Sequence, residues 1–249
     1  MNSLISDQLF AGLIEYLESC PGVSQVKLYT KPGIHSTDVA IWQSQNAATL
    51  PKDLTNFLFM TNGISLNWMI QFPNLKTSKE LECLNVGHIG VNALELIVPF
   101  KSPNPIHKTV DAFILHDISM HGKICLVYVP SSHEKMSNAA KSEIQFYSYQ
   151  TESWYFISET FTEYFRMQIL HLGVQGWQLS YTDIGVPQST LDWLYFYAPH
   201  EYSFANHDSK KCLKSQSNTK ISMEKVHKMI SVIQKEVLTS NPTKKPSFK

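Results

Sequence analysis

Among 249 residues the chain has one arginine, Arg166. Arginine is the side chain best suited to bidentate recognition of phosphates and base edges, so this scarcity argues against a dedicated nucleic-acid reader. Glycine is sparse as well: ten residues, thinly spread, with no G-x-G-x-x-G and no G-x-x-x-x-G-K-[ST]. Without a glycine-rich phosphate cradle, no nucleotide cofactor and no intrinsic ATP chemistry are expected. The G-x-S-x-G elbow of hydrolases and the H-E-x-x-H zinc helix are also missing. Cys20, Cys83, Cys125 and Cys212 lie far apart with no C-x-x-C pair. That spacing fits reduced cytosolic thiols better than a disulfide framework or a zinc site. No apolar run approaches the roughly 18 residues of a membrane helix, and no basic-then-apolar leader opens the chain. A cytoplasmic protein without a membrane segment is the expectation.

What is present in quantity is segregated charge and concentrated aromatic area. Residues 209–249 hold ten lysines against Glu224 and Glu236, a local balance of +8, and the first 208 residues balance this at −8. An acidic body with a basic tail suggests a tail that meets an anionic partner or folds against the body. Lys210, Lys211 and Lys214 are the candidate tail contacts, set against the plainer role of a solubilising tail. Residues 154–199 hold twelve of the chain's 29 aromatic side chains yet no grouping able to run a reaction. Phe161, Tyr164, Phe165, Ile169 and Leu172 follow helical spacing. Gly173 and Gly176 stop that pattern, and Trp177 opens a second aromatic cluster ending at Tyr197. Aromatic side chains dominate both cores and interface anchors, so this block points to binding rather than catalysis.

Apolar periodicity predicts a helix over 4–19, ended by Pro21-Gly22, and a strand over 23–29. Lys31-Pro32-Gly33 starts a loop leading to Ile41 and Trp42. Pro51 occupies the first turn of a helix whose pattern is Leu54, Phe57, Leu58 and Met60, with Asn62-Gly63 as its expected left-handed cap. A strand over 64–71 stops at Pro73. The stretch 75–105 is ambiguous, and Pro99, Pro103 and Pro105 mark a loop in it. Strands follow at 112–116, 123–129 and 143–149, the first two joined by a turn at His121-Gly122. The whole reads as α+β with a mainly antiparallel sheet flanked by helices. Residues 1–202 form this body with its aromatic extension, and 203–249 form a basic linker and a short amphipathic helix. Met223, Val226, Ile230, Ile233 and Val237 give that helix its seam, which is too short to hold unless docked.

Individual residues admit a functional and a structural reading. His116-Asp117 and His121 straddle a turn, but without a third ligand at metal spacing they read as surface turn histidines, so no metal is expected. Glu159 and Glu163 sit at the start of the aromatic helix, where carboxylates complement the helix dipole more simply than they do acid–base work. Arg166 either pairs locally with Glu163 or offers a bidentate bond to a partner carboxylate. Trp177, following two glycines, is the best candidate for an exposed anchor, with Trp193 beside it as a second protein-binding candidate.

Two blocks carry a family resemblance. The run Leu50-Pro51-Lys52-Asp53-Leu54-Thr55-Asn56-Phe57-Leu58 into Thr61-Asn62-Gly63 resembles the P-x-x-(L/V)-x-x-F-L…N-G helix of the SUKH (Smi/Knr-like) superfamily. Gly122-Lys123-Ile124-Cys125-Leu126-Val127-Tyr128, then a strand and the helix at Phe161, resembles that fold's second half. Within the superfamily the chain is most similar to the non-catalytic second-subunit family of tubulin polyglutamylase complexes. Glu18-Ser19-Cys20-Pro21-Gly22-Val23, Met60-Thr61-Asn62-Gly63 and the stretch 161–193 carry the closer likeness. In the last of these the matching residues are Thr162, Tyr164, Arg166, His171-Leu172-Gly173, Trp177, Gln178, Tyr181, Gly185 and Trp193. The resemblance covers 4–202; the stretch 75–105 and the tail depart from it. It implies no enzyme but an accessory scaffold, partnered by a tubulin-tyrosine-ligase-like glutamate ligase and further subunits. That ligase performs the ATP-dependent chemistry on tubulin tails. Contact with microtubules is then indirect, at the cytoskeleton, centriole or ciliary base. A free-standing SUKH-type binding module that masks another protein is the alternative, and the aromatic block after His171 favours the scaffold.

Overall fold

Proline and glycine set the first boundaries of the computed structural model, which describes residues 3–73, 81–101, 111–118, 120–129 and 141–198. Helix α1 (Ser3–Ser19) ends where Pro21-Gly22 turns the chain, Gly22 taking φ +76°, and strand β1 (Val23–Pro32) follows. Pro51 opens α3 (Lys52–Met60), which buries Leu54, Phe57 and Leu58 as its spacing predicts. The cap differs from expectation: α3 ends on Thr61 in extended conformation, whose N–H donates to Phe57 O. Gly63 does take φ +84°, but inside strand β2 (Thr61–Pro73). A Cβ there would lie 2.6 Å from Ala93 N, so this glycine serves a close backbone approach. Helix α2 (Ser36–Asn46) stands where the sequence predicts a loop, because it is largely polar and buries only Val39 and Trp42. Asp38 begins it by accepting from the His35 N–H at 2.9 Å.

The single sheet expected from sequence is two antiparallel sheets. The first has order β1-β2-β3, with β3 at Leu81–Val91. The second has order β4-β5-β6-β7-β8, spanning Pro99–Phe100, Asp111–Ile118, Gly122–Val129, Lys141–Ser148 and Ser153–Ser158. The ambiguous stretch thus yields β3, a 3-10 turn at Leu94–Leu96 and the short β4. Helix α4 (Phe161–Leu170) and α5 (Gln188–Tyr197) complete the order. The loop at Pro103 and Pro105, the connection after Val129, and the tail with its amphipathic segment lie outside the described residues.

One core joins both sheets and helices α1 to α5. Phe10 and Leu17 of α1, Trp42, Phe57, Trp68, Ile89, Leu115, Leu126, Phe146, Tyr164 and Leu194 all belong to it. Trp68 is fully buried against Gly87, where a Cβ would fall 1.9 Å from the indole nitrogen, and its N–H donates to Leu172 O at 2.8 Å. Burying an aromatic side chain this completely contributes about 1.5–3 kcal/mol. Helix α5 returns the chain to the end of α1: Tyr197 Oη donates to Pro21 O at 3.0 Å, and Tyr16 Oη donates to Tyr197 O.

Helix α4 is fastened along the outer edge of β3. Gln168, fully buried, accepts from Gly90 N–H at 3.1 Å and donates to Gly90 O at 3.3 Å. After the helix, His88 N–H donates to Gly173 O at 2.7 Å and Gln175 N–H to Val86 O at 3.0 Å. On the edge of β3 away from β2, Val86 O, His88 N–H and both polar groups of Gly90 are therefore satisfied from within.

Candidate docking surface at the β8–α4 corner

Strand β8 turns directly into α4, and local chemistry fixes the corner. Thr160 is the N-cap, its side chain accepting from Glu163 N–H at 3.2 Å. Asp53 of α3 accepts from Thr162 N–H at 2.9 Å and from Thr162 Oγ1 at 3.2 Å, so one carboxylate clamps the first turns of two helices together. Glu159 pairs with Lys141 across exposed surface at 3.4 Å. At this helix start a hydroxyl caps, the Asp53 carboxylate clamps and Glu159 pairs, while Glu163 lies in the first turn, where a carboxylate complements the helix dipole.

The inner face of α4 buries Phe161, Tyr164, Phe165 and Gln168. Its outer face carries Glu163, Arg166 and the half-exposed Met167, and these form one wall of a shallow groove. The end of β8, with Phe156, Ile157 and Ser158, forms the other wall, and the groove holds about 420 Å³. Phe156 is 50% exposed, unusual for a phenylalanine in a strand. Among the described residues no ion pair reaches Arg166, so the expected local pair with Glu163 is not formed.

The two tryptophans separate. Trp177, expected to be an exposed anchor, is 1% exposed and cannot act as one. It lies in a 3-10 turn, Trp177–Tyr181, that starts from Gly176 at φ +87°. The indole stacks on His171 with centroids 4.4 Å apart, and Tyr181 meets it edge-on. The glycines thus fold the chain back over the tryptophan instead of presenting it. Trp193 is half-buried and stacked on Tyr197 at 6.0 Å, packed against the main core. Lys210, Lys211 and Lys214 lie outside the described residues.

A polar constellation escaped the sequence reading. His116, taken as a surface turn residue, is buried in β5, and His88 of β3 approaches it with His88 Nδ1 3.4 Å from His116 Nε2. Ser65 Oγ lies 3.2 Å from His88 Nε2, and Tyr164 Oη lies 3.4 Å from His116 Nδ1. A Cβ on Gly90 would strike both rings, so this glycine makes room for the pair. Burial, reinforced by the neighbouring His88, holds His116 down to about 3, and burial lowers His88 as well. Two neutral imidazoles between two hydroxyls make a hydrogen-bonded chain, with each ring able to donate once and accept once. The pair borders a cleft of about 260 Å³ whose rim carries Lys31 and Asn62, both bonded to Glu95. Among the described residues no three His, Cys, Asp or Glu side chains gather as metal ligands. Cys125, fully buried, has its thiol pushed up by burial, away from nucleophilic character. Set 28 positions apart in the chain, His88 and His116 give no spacing signal.

No protein-family profile matches the chain, and no solved structure does. Curated proteins do. The human tubulin polyglutamylase complex subunit 2 is 27% identical over 258 residues, covering 88% of this chain and 82% of its own length. The chain is similar to that subunit. The mouse protein of the same name is 26% identical over 88% of this chain and 84% of its own, and the rat protein is 26% identical over 79% and 73%. Likeness at nearly full length on both sides extends beyond the aromatic block to the body as a whole. These relatives are named as subunits of a tubulin polyglutamylase complex, and a subunit works through the surfaces it offers to others. Of the described surfaces, the β8–α4 corner combines exposed apolar area with a cation that has no ion-pair partner among the described residues.

Proposed function

We propose that this protein is a non-catalytic scaffold subunit of a tubulin polyglutamylase complex. A partner of the tubulin-tyrosine-ligase-like type carries out ATP-dependent glutamylation of tubulin tails, and this chain holds the assembly together. The observation that carries the reading is the extent of the likeness, 88% of this chain and 82% of the human relative. The body is of SUKH type in this reading, supported by the Pro51-led helix running into Gly63. The protein works in the cytoplasm at the microtubule cytoskeleton, and its lysine-rich tail meets acidic surfaces through contacts that weaken with salt.

The test is removal and recovery. A tagged full-length chain is purified from its own cells, its partners are identified by mass spectrometry, and tubulin glutamylation is measured with and without the chain. Recovery of a glutamate ligase, with loss of glutamylation in cells lacking the chain, is the expected result. Recovery of one unrelated enzyme, with glutamylation unchanged, would establish the masking module instead. ATP-dependent glutamylation by the purified chain alone would overturn the non-catalytic assignment.

A further inference from the structure

The two sheets expose their outer strands unequally. In the three-stranded sheet, β3 is closed over 86–90 by Gln168, Gly173 and Gln175. Strand β1 carries devices that discourage another strand: its pairing shifts between Ser24 and Lys27, Gln25 takes φ +50°, and Lys27 and Lys31 are exposed. In the five-stranded sheet, β4 is only two residues long. Strand β8 differs from all three. It is the terminal strand, pairs with β7 alone, and among the described residues its backbone makes no other main-chain hydrogen bond. Its sequence, Ser-Trp-Tyr-Phe-Ile-Ser, is rich in strand formers and carries no charge. An irregularity at Ile157 limits regular pairing to Ser153–Phe156.

We propose that the groove between β8 and α4 takes an extended segment of a partner subunit, which adds to β8 as a sixth strand. This rests on the scaffold reading above and names the surface it uses. A groove walled by an open strand on one side and a helix on the other is a recurring seat for an added strand, with main-chain bonds giving affinity and side-chain pockets giving specificity. Half of the N–H and C=O groups of an edge strand point away from its neighbour, and an added strand satisfies them. The exposed Phe156 and the half-buried Met167 receive an apolar side chain.

Charge sets the partner's chemistry. Glu159 is engaged by Lys141 and Glu163 stands at the cationic N-terminal end of α4, whereas Arg166, one turn further on, meets no carboxylate among the described residues. The segment that fits carries Asp or Glu opposite Arg166, giving a bidentate pair, and a neutral or basic residue toward Glu163.

The experiment uses the full-length chain, alone and in the complex recovered with it. Hydrogen exchange should slow about ten-fold or more on assembly at those amides of 153–156 that point away from β7. Arg166→Glu should lower recovery of the partner about ten-fold, and Phe156→Asp should act likewise. Both side chains are exposed, so each variant should keep the wild-type thermal transition, and a variant that loses it is replaced by Arg166→Gln or Phe156→Ser. Unchanged exchange on assembly, or full recovery with Arg166→Glu, overturns the proposal while leaving the scaffold role intact. Protection of β8 that rises with concentration in the isolated chain would assign the groove to a second copy and overturn it too. A wild-type chain that joins no complex removes the scaffold reading itself, and the inference falls with it.

Discussion

Trp177 and Phe156 belong to the same aromatic block, yet one is 1% exposed and the other 50%. The region 171–197 is folded inward: Trp177 stacks on His171, Trp193 on Tyr197, and Tyr197 reaches back to Pro21. The β8–α4 corner faces outward, with Phe156, Met167 and Arg166 around a groove. Aromatic density alone does not distinguish a core from a docking face. What separates them here is packing: the rings of the first region stack on one another and on the core, whereas Phe156 stands half exposed beside α4.

If that contrast is right, the largest effect belongs to the covered side. Trp177→Ala should cost about 3–5 kcal/mol of stability, read as a lowered urea midpoint, because it empties a stacked and buried site. An effect below about 1 kcal/mol would mean that the turn is not part of the cooperative core.

Next comes acid sensitivity at the seam between β3 and β5. His88 and His116 titrate lower in the folded chain than in the unfolded chain, where they take up protons near pH 6.5. The unfolded state therefore binds more protons below that pH, and stability falls as the solution is acidified through 6.5 toward about 3. Each histidine contributes a slope of about 1.4 kcal/mol per pH unit within its window. His116→Gln should flatten the acid limb of stability against pH, and an unchanged limb would place the sensitivity elsewhere.

Gln168→Ala should cost less, about 1–3 kcal/mol, by leaving the Gly90 peptide without partners. Native-state hydrogen exchange should then quicken at Gly90. The smallest effects belong to the open side: Arg166→Ala and Phe156→Ser should each stay within about 0.5 kcal/mol in urea melts. A larger loss at either would make the groove part of the core and weaken its candidacy for docking.

The sequence carried more of the fold than of the site. Proline and glycine marked α1, β1 and α3, and alternation marked β2, β5, β6 and β7, because half-buried strands and one-sided helices write their exposure into residue order. Helix α2 escaped because a mostly polar helix leaves little stripe to read, and α5 because its aromatic run hides any periodicity. Gly63 was assigned the right backbone conformation in the wrong element, since a positive φ is visible in residue type while its neighbour, Ala93, is not. Arg166 was legible by its rarity. The exposure of Phe156 and the meeting of His88 with His116 were not, because both depend on which strands lie side by side.

The Gln168 amide fixes more than a hydrogen-bond count. It grips Gly90 of β3 through both its N–H and its C=O, so α4 cannot slide along the strand by a single residue without breaking both bonds together. The groove wall that Arg166 occupies is mechanically bolted to the three-stranded sheet, while the facing wall belongs to the five-stranded one. A pull on anything seated between them is resisted in shear by both sheets, and the load passes into the body rather than peeling the helix away.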